Sequence, residues 1–126
     1  MNIPSDLQYS TDHEWIRRDG NVVTIGITEY AQDSLGDVVF VEVPEEGTVV
    51  AIGESFTEVE STKSVSDIYA PVSGTISAVN DSLDGQPELL NSDPYGEGWI
   101  CSIEMSNDDE MGNLLDAEGY RALTEG

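Results

Sequence analysis

Positive charge is what this sequence has least of. Its 126 residues include 26 aspartates and glutamates but only four lysines and arginines together, which gives a formal net charge of −22. A surface of that charge repels nucleic acids and anionic membranes, so we expect neither as a partner. Because the acidic residues are spread along the whole chain, we also expect adaptation to high salt, where the Debye length falls to about 3 Å at 1 M.

Long apolar runs are absent as well. No stretch approaches the roughly 18–20 apolar residues that a membrane-spanning helix needs. The opening segment MNIPSDLQYSTDHEW has neither the basic start nor the apolar centre of a secretory signal. We therefore expect a single domain, residues 1–126, in the cytoplasm.

Cysteine and histidine occur once each, as Cys101 and His13. One cysteine cannot form an intramolecular disulfide, and the apolar run WICSIEM around it favours a core position. One histidine leaves no ligand set for zinc and no convincing Ser–His–Asp arrangement. The sequence therefore predicts no metal site and no catalytic residues, so the protein is not expected to be an enzyme.

The residues that are present predict a mainly β fold. The segment HEWIRRDGNVVTIGIT, residues 13–28, contains two extended runs around Asp19 and Gly20, a pair that suits a type I′ hairpin turn. Thr28 is then placed to cap a short helix, and Gly36 is placed to end it.

The rest of the chain changes from strands to helix. Strand patterns fill residues 38–79, and a helical segment is expected at about 107–124. Met111, Leu114 and Leu115 form an apolar stripe there that predicts packing against a sheet. Glycines in the same segment favour short helical pieces over one long helix.

An internal repeat with an offset of 27 residues organises the strand region. PEEGTVVAI, residues 44–52, aligns with PVSGTISAV, residues 71–79. The same offset pairs Val38 with Val65 and Val41 with Ile68. Two β units, at about 37–62 and 64–89, predict a pseudo-two-fold sandwich in which each half contributes strands to the other.

Lys63 is the only lysine, and it lies where the two units meet, between Thr62 and Ser64. Hydroxyl side chains tighten turns, so we expect an exposed hairpin tip. One interpretation is a solvated lysine that keeps an edge hairpin soluble. A Schiff-base lysine would need burial. A covalent attachment point for a group carrier needs an accessible amine, which this position offers.

Four blocks that cover essentially the whole chain resemble the glycine cleavage H-protein family. They are DHEWIRRDGNVVTIGITEYAQDSLGDVVFVEVPEEG, VESTKSVSDIYAPVSGTISAVN, DPYGEGWICSIEM and LLDAEGY. The resemblance implies a barrel-sandwich hybrid of the lipoyl/biotinyl type, with an added N-terminal hairpin, a short helix and a C-terminal helix. It also implies one lipoic acid per chain, bound covalently to Lys63.

The resemblance further implies a non-catalytic carrier of the glycine cleavage system. Such a carrier takes the aminomethyl group of glycine from a PLP-dependent decarboxylase (P protein) to a tetrahydrofolate-dependent aminomethyltransferase (T protein). A dihydrolipoyl dehydrogenase (L protein) and a lipoate-attaching enzyme complete the implied partners.

The resemblance carries over four further positions. Glu14 and Asp67 match acidic positions near a cleft for the loaded arm, and Glu60 and Asp67 are expected to help the lipoate-attaching enzyme recognise the hairpin. Thr62 and Ser64 depart from the family pattern, which usually has an apolar residue before the lysine and alanine after it. This departure bears on recognition by a particular ligase.

Other functions remain open at this point. Biotin carriers typically have methionine on both sides of the lysine, and acyltransferase lipoyl domains lack the HEWIRR hairpin and the C-terminal helix. A lipoyl donor that serves other lipoate-dependent enzymes would have the same fold. An unmodified β sandwich that binds proteins through its acidic face is the remaining alternative.

Overall fold

Two antiparallel sheets form the frame of the molecule in the computed structural model, which describes residues 2–125. The strands are β1 (Gln8–Tyr9), β2 (Glu14–Asp19), β3 (Val22–Ile27), β4 (Val38–Val41), β5 (Val49–Val50), β6 (Ser55–Ser61), β7 (Val65–Tyr69), β8 (Gly74–Val79) and β9 (Cys101–Met105). One sheet has the order β1-β2-β3-β9-β8-β5 and the other the order β4-β6-β7. The mainly β prediction is therefore confirmed.

Short helices connect and flank the strands. They are α1 (Glu29–Leu35), α2 (Ser82–Gly85), α3 (Leu89–Ser92), a 3-10 helix (Asp108–Asn113) and α4 (Ala117–Glu125). None of the helices within residues 2–125 has the length and apolar character needed to cross a bilayer. The predicted cap and end of α1 are confirmed, because Thr28 Oγ1 accepts a hydrogen bond from the Ala31 N–H and Gly36 has a φ of 80°.

The 27-residue offset relates strands in part of each unit. It relates β4 to β7, and it relates β5 to β8, which pair antiparallel with Val49 opposite Thr75. By contrast, β6 aligns with residues 82–88, where the chain forms α2. The sequence repeat therefore corresponds to repeated structure for two strands of each unit, β4 with β7 and β5 with β8. The unit boundaries at residues 37–62 and 64–89 stay predictions.

The β2–β3 hairpin is present, but the predicted turn type is wrong. Asp19 pairs with Val22, so Gly20 and Asn21 form the two-residue loop. Gly20 has a φ of 64°, whereas Asn21 does not have a positive φ. A type I′ turn needs positive φ at both loop positions.

Within the described part of the chain, buried apolar side chains form two cores. The main core lies between the two sheets and includes Ile25, Val59 and Ile76. A second core joins the N-terminal segment to α4, and it consists of Ile3, Leu7, Tyr9, Trp15 and Tyr120.

The DPYGEGW segment folds into a loop at the edge of the second core. Trp15 Nε1 donates to the Pro94 carbonyl at 2.8 Å. The Asn80 amide donates to the Glu97 and Trp99 carbonyls, each at 2.7 Å. This motif therefore has a structural role, since these bonds hold the loop against both cores.

Candidate functional site

Lys63 lies at the exposed tip of the β6–β7 hairpin. The Ser61 side chain organises this tip, because its Oγ accepts from the Lys63 N–H at 3.2 Å and from the Ser64 N–H at 3.1 Å. The Ser61 N–H donates to the Ser64 carbonyl at 2.8 Å. The predicted tightening of the turn by hydroxyl side chains is thus observed at Ser61.

The hairpin tip is attached to the end of α1. The Thr62 N–H donates to the Asp37 carbonyl at 3.0 Å. A methyl group at Gly36 would lie 3.3 Å from the Lys63 Cε atom, so the lysine stem runs alongside that glycine. The Asn91 amide in turn donates to the Gly36 carbonyl at 2.8 Å. These contacts fix the base of the lysine while its amine stays accessible.

A cleft of about 230 Å³ lies between α1, β7 and the loop before β2. The lining residues are Asp12, His13, Ile27, Tyr30, Ala31, Ser34, Leu35, Ser66, Asp67 and Ile68. Since β7 begins two residues after Lys63, the cleft opens close to the lysine along the same hairpin. Its walls are partly apolar and carry carboxylates at the rim.

Asp67 and Glu60 occupy different parts of this region. Asp67 is exposed on β7 and lines the cleft. Glu60 is exposed on β6, in register between Phe40 on β4 and Val65 on β7. Phe40 and Val65 are 46% and 58% exposed, so Glu60 lies within an apolar row directly below the hairpin tip.

Glu14 is buried and is not part of the cleft lining. It is 1% exposed, and its Oε1 accepts from the Ser10 hydroxyl at 2.6 Å. A second hydrogen bond comes from the backbone of Tyr69 at the end of β7. Burial raises the pKa of Glu14 to about 7, although both hydrogen bonds act in the opposite direction. Glu14 thus links the start of β2 to the end of β7 without lining the cleft.

Sequence reasoning missed several residues of the cleft. No sequence pattern pointed to Asp12, Tyr30 or Ser34, and His13 entered the sequence argument only as a zinc ligand or as the histidine of a catalytic triad. Tyr30 and Ser34 are four residues apart on α1, a spacing that places both on one helix face. His13 has a φ of 70°, in the left-handed region that few residues other than glycine adopt.

Cys101 lies in the core, as expected from its sequence environment. It is 0% exposed on β9, and burial raises the pKa of its thiol to about 12. A thiol in that state is not a nucleophile at neutral pH.

A two-sheet sandwich with one lysine at a hairpin tip and a cleft beside it places the molecule in the barrel-sandwich class of domains. The family model described as "Glycine cleavage H-protein" matches residues 7–126. The chain belongs to the glycine cleavage H-protein family, as its resemblance predicted.

Curated relatives and a solved structure agree with this assignment. A glycine cleavage system H protein of Symbiobacterium thermophilum is 56% identical over 98% of this chain and 97% of its own length. One from Mycolicibacterium smegmatis is 58% identical over 96% of this chain and 95% of its own length. The crystal structure of a glycine cleavage system H protein from Mycobacterium marinum covers 98% of this chain and 100% of its own, with 44% identity and a TM-score of 0.90.

Proposed function

We propose that this protein is the lipoyl-bearing carrier of a glycine cleavage system, with the lipoyl group attached to Lys63. The observation that carries the proposal is the single lysine at an ordered, exposed hairpin tip in a chain of this family. The protein acts as a non-catalytic component in the cytoplasm. Its partners are the glycine decarboxylase, the aminomethyltransferase, the dihydrolipoyl dehydrogenase and the lipoate-attaching enzyme.

The residues present fit a lipoyl group. A ligase needs a primary amine that is accessible to solvent. Lys63 is exposed, and the hydrogen bonds that Ser61 Oγ accepts at the tip come from the backbone N–H groups of Lys63 and Ser64. The apolar part of the cleft, formed by Ile27, Leu35 and Ile68, suits an alkyl chain. When attached, the lipoyl dithiolane supplies the sulfur that carries the aminomethyl group between enzymes.

Carboxylates at the cleft favour a cationic amine. Asp67 is the partner that the sequence resemblance implies, and Asp12 is a second candidate because it lines the same cleft. A protonated amine in a partly dry site gains from such neighbours through charge-assisted hydrogen bonds. Glu14 is a further proposed contributor, although it does not line the cleft, and its carboxyl is held by Ser10 and Tyr69.

The face around Glu60 is our proposed contact for the lipoate-attaching enzyme. That enzyme must reach the lysine Nζ itself, whereas the other partners act on the far end of the arm. It must therefore approach the row of Phe40, Glu60 and Val65 directly below the tip. The exposed apolar side chains and the nearby Asp67 fit an enzyme whose active-site entrance is basic at its rim.

Intact mass with peptide mapping across residues 54–75 tests the proposal. Protein from the native host is expected to carry the mass of one lipoyl group on Lys63, and Lys63→Arg is expected to abolish it. The lipoylated protein should then support glycine–CO₂ exchange by purified decarboxylase. An unmodified native protein would exclude the carrier function, and a lipoylated protein without exchange activity would instead identify a lipoyl donor for other enzymes.

A further inference from the structure

The hydrogen bonds around Tyr120 determine the state of the histidine in the cleft. Tyr120 lies on α4 and is 0% exposed. Its hydroxyl oxygen is 2.7 Å from Thr28 Oγ1 and 2.8 Å from His13 Nδ1. Its ring is stacked on Tyr9 with the ring centroids 4.7 Å apart, so close packing holds the hydroxyl in place.

Only one arrangement of protons gives each buried hydroxyl an acceptor. Thr28 is 0% exposed, and its Oγ1 already accepts from the Ala31 N–H at 3.1 Å. If the Thr28 hydroxyl donates to Tyr120, and Tyr120 donates to His13 Nδ1, every proton is used. If Nδ1 instead carried a proton and donated to Tyr120, one of the two buried hydroxyl protons would have no acceptor.

His13 therefore carries its proton on Nε2, on the side away from Tyr120. Nε2 has no hydrogen-bond partner among residues 2–125, and no buried side-chain nitrogen or oxygen in that range lacks a partner. Nε2 is thus accessible. The imidazole lines the cleft and lies 4.7 Å from the Tyr30 ring, centroid to centroid.

We propose that Tyr120 is a positioning residue that keeps His13 in its neutral Nε2–H form, so that the cleft contains a fixed hydrogen-bond donor and no free imidazole base. Among residues 2–125, the titratable groups that line the cleft with His13 are Asp12, Tyr30 and Asp67, and the Tyr120 ring contacts the imidazole at an angle of 71°. An ammonium group in this cleft would meet carboxylates that accept its hydrogen bonds, without an imidazole to remove its proton.

Two further observations agree with this assignment. Burial lowers the pKa of His13, although the charge of Asp12 acts in the opposite direction. The backbone is held as well, because the Thr28 N–H donates to the His13 carbonyl at 3.1 Å. The left-handed conformation of His13 is therefore stabilised by the same threonine that begins the hydrogen-bond chain to Tyr120.

The test is ¹⁵N NMR of His13 in the unmodified protein. Because this is the only histidine, its two ring nitrogens can be assigned without ambiguity. We expect the Nε2–H tautomer at neutral pH and a pKa below the usual value. Tyr120→Phe keeps the ring and removes the hydroxyl that donates to Nδ1, so we expect a mixture of tautomers and a higher His13 pKa than in wild type.

Tyr9→Phe is the matched control. It removes the hydroxyl of the stacked partner ring, which donates to the Pro4 carbonyl at 2.5 Å and takes no part in the chain to His13. We expect it to leave the tautomer and the pKa of His13 unchanged. A wild-type His13 protonated on Nδ1, or a Tyr120→Phe variant with wild-type tautomer and pKa, would overturn the proposal.

A second readout concerns the loaded carrier, and this part rests on the proposed function. Without the transferase, hydrolysis of the S-aminomethyl group by water frees the thiol and yields formaldehyde and ammonium, and in loaded Tyr120→Phe it is expected to run about 3-fold faster than in wild type near neutral pH. Adding His13→Asn, which tolerates the left-handed backbone, should restore the wild-type rate. An equal rate in all three proteins would contradict the protective role. If Lys63 carries no lipoyl group in the native protein, the proposed function is wrong, whereas the NMR result on the His13 tautomer is unaffected.

Discussion

Glu14 shows how a single carboxyl becomes part of the structure when it is removed from water. Its sequence neighbours His13 and Trp15 give no sign that it is buried, and among 26 acidic residues it does not stand out. In the folded protein it is 1% exposed and bonded to Ser10 and to the backbone of Tyr69. A charge in that position costs free energy that two hydrogen bonds only partly offset.

Glu14→Gln is therefore expected to stabilise the protein at high pH. The folded-state pKa of Glu14 is raised from an ordinary 4.5 to about 7, so its contribution to stability is fully present below about pH 4.5 and is lost as the pH rises through 7. The glutamine stays neutral throughout. Urea unfolding at fixed salt should show wild type losing roughly 2–3 kcal/mol relative to the variant between about pH 4.5 and pH 8.

The exposed Glu58 on β6 offers the control for this measurement. Glu58→Gln removes a carboxylate that water already solvates, so its stability should follow the wild-type pH dependence. If the free energy of unfolding of Glu14→Gln also has the wild-type pH dependence, the carboxyl of Glu14 is ionised in the folded protein at neutral pH. Burial would then not raise its pKa as we expect.

At the scale of elements, the β6–β7 hairpin holds its backbone in a fixed position while the Lys63 side chain at its tip is exposed. Its strands pair from Ser55 opposite Tyr69 up to Glu60 opposite Val65, and the Ser61 side chain closes the tip. The side chain of Lys63 can then move while its Cα stays fixed. A carrier needs a flexible lysine side chain on a fixed backbone, because an enzyme can bind a fixed hairpin more tightly than one that becomes ordered only on binding.

Ser61→Ala tests the hydrogen bonds of the tip. The Lys63 and Ser64 amides lose their acceptor, so their hydrogen exchange should accelerate by about 3- to 10-fold, while global stability falls by less than about 1 kcal/mol. NMR-detected exchange under native conditions measures both. Ser64→Ala is the control, because its hydroxyl makes none of these bonds. Unchanged amide exchange in Ser61→Ala would show that the strands alone order the tip.

At the scale of the whole molecule, charge is the dominant property. Four cationic side chains cannot neutralise 26 acidic ones, and Arg18 and Asp108, 3.3 Å apart, form a surface pair whose members are 42% and 59% exposed. Such a pair contributes little to stability. At low ionic strength, repulsion between acidic side chains over the entire surface therefore lowers the free energy of unfolding.

Thermal unfolding in KCl checks the expected salt adaptation. We expect Tm to rise by about 5–10 °C between about 0.1 M and 3 M KCl, since screening weakens repulsion in the compact state. The rise should level off once the Debye length falls below the spacing of neighbouring carboxylates. A Tm that is as high in dilute buffer contradicts the adaptation, and a rise that never levels off indicates exclusion of solute from the surface instead.

Much of the fold follows from local signals that the sequence carries by itself. Thr28 and Gly36 begin and end α1 because capping and left-handed φ are properties of single residues. Strand alternation and the repeat gave the mainly β class. The short helices α2 and α3 were not predicted, since one turn shows no apolar period and depends on bonds to distant groups, such as that from the Val38 N–H to Asn91 Oδ1 at 2.8 Å.

The position of Lys63 at a hairpin tip was determined by the sequence alone, because a turn is specified by the residues within it. The surroundings of the lysine were decided only by the tertiary structure. The cleft is lined by residues from a loop, a helix and two strands, and His13 contacts Tyr120, which is 107 positions away in the chain. Burial of Glu14 depends in the same way on β7. Pattern reasoning is local, whereas burial and proton placement depend on which distant segments pack together.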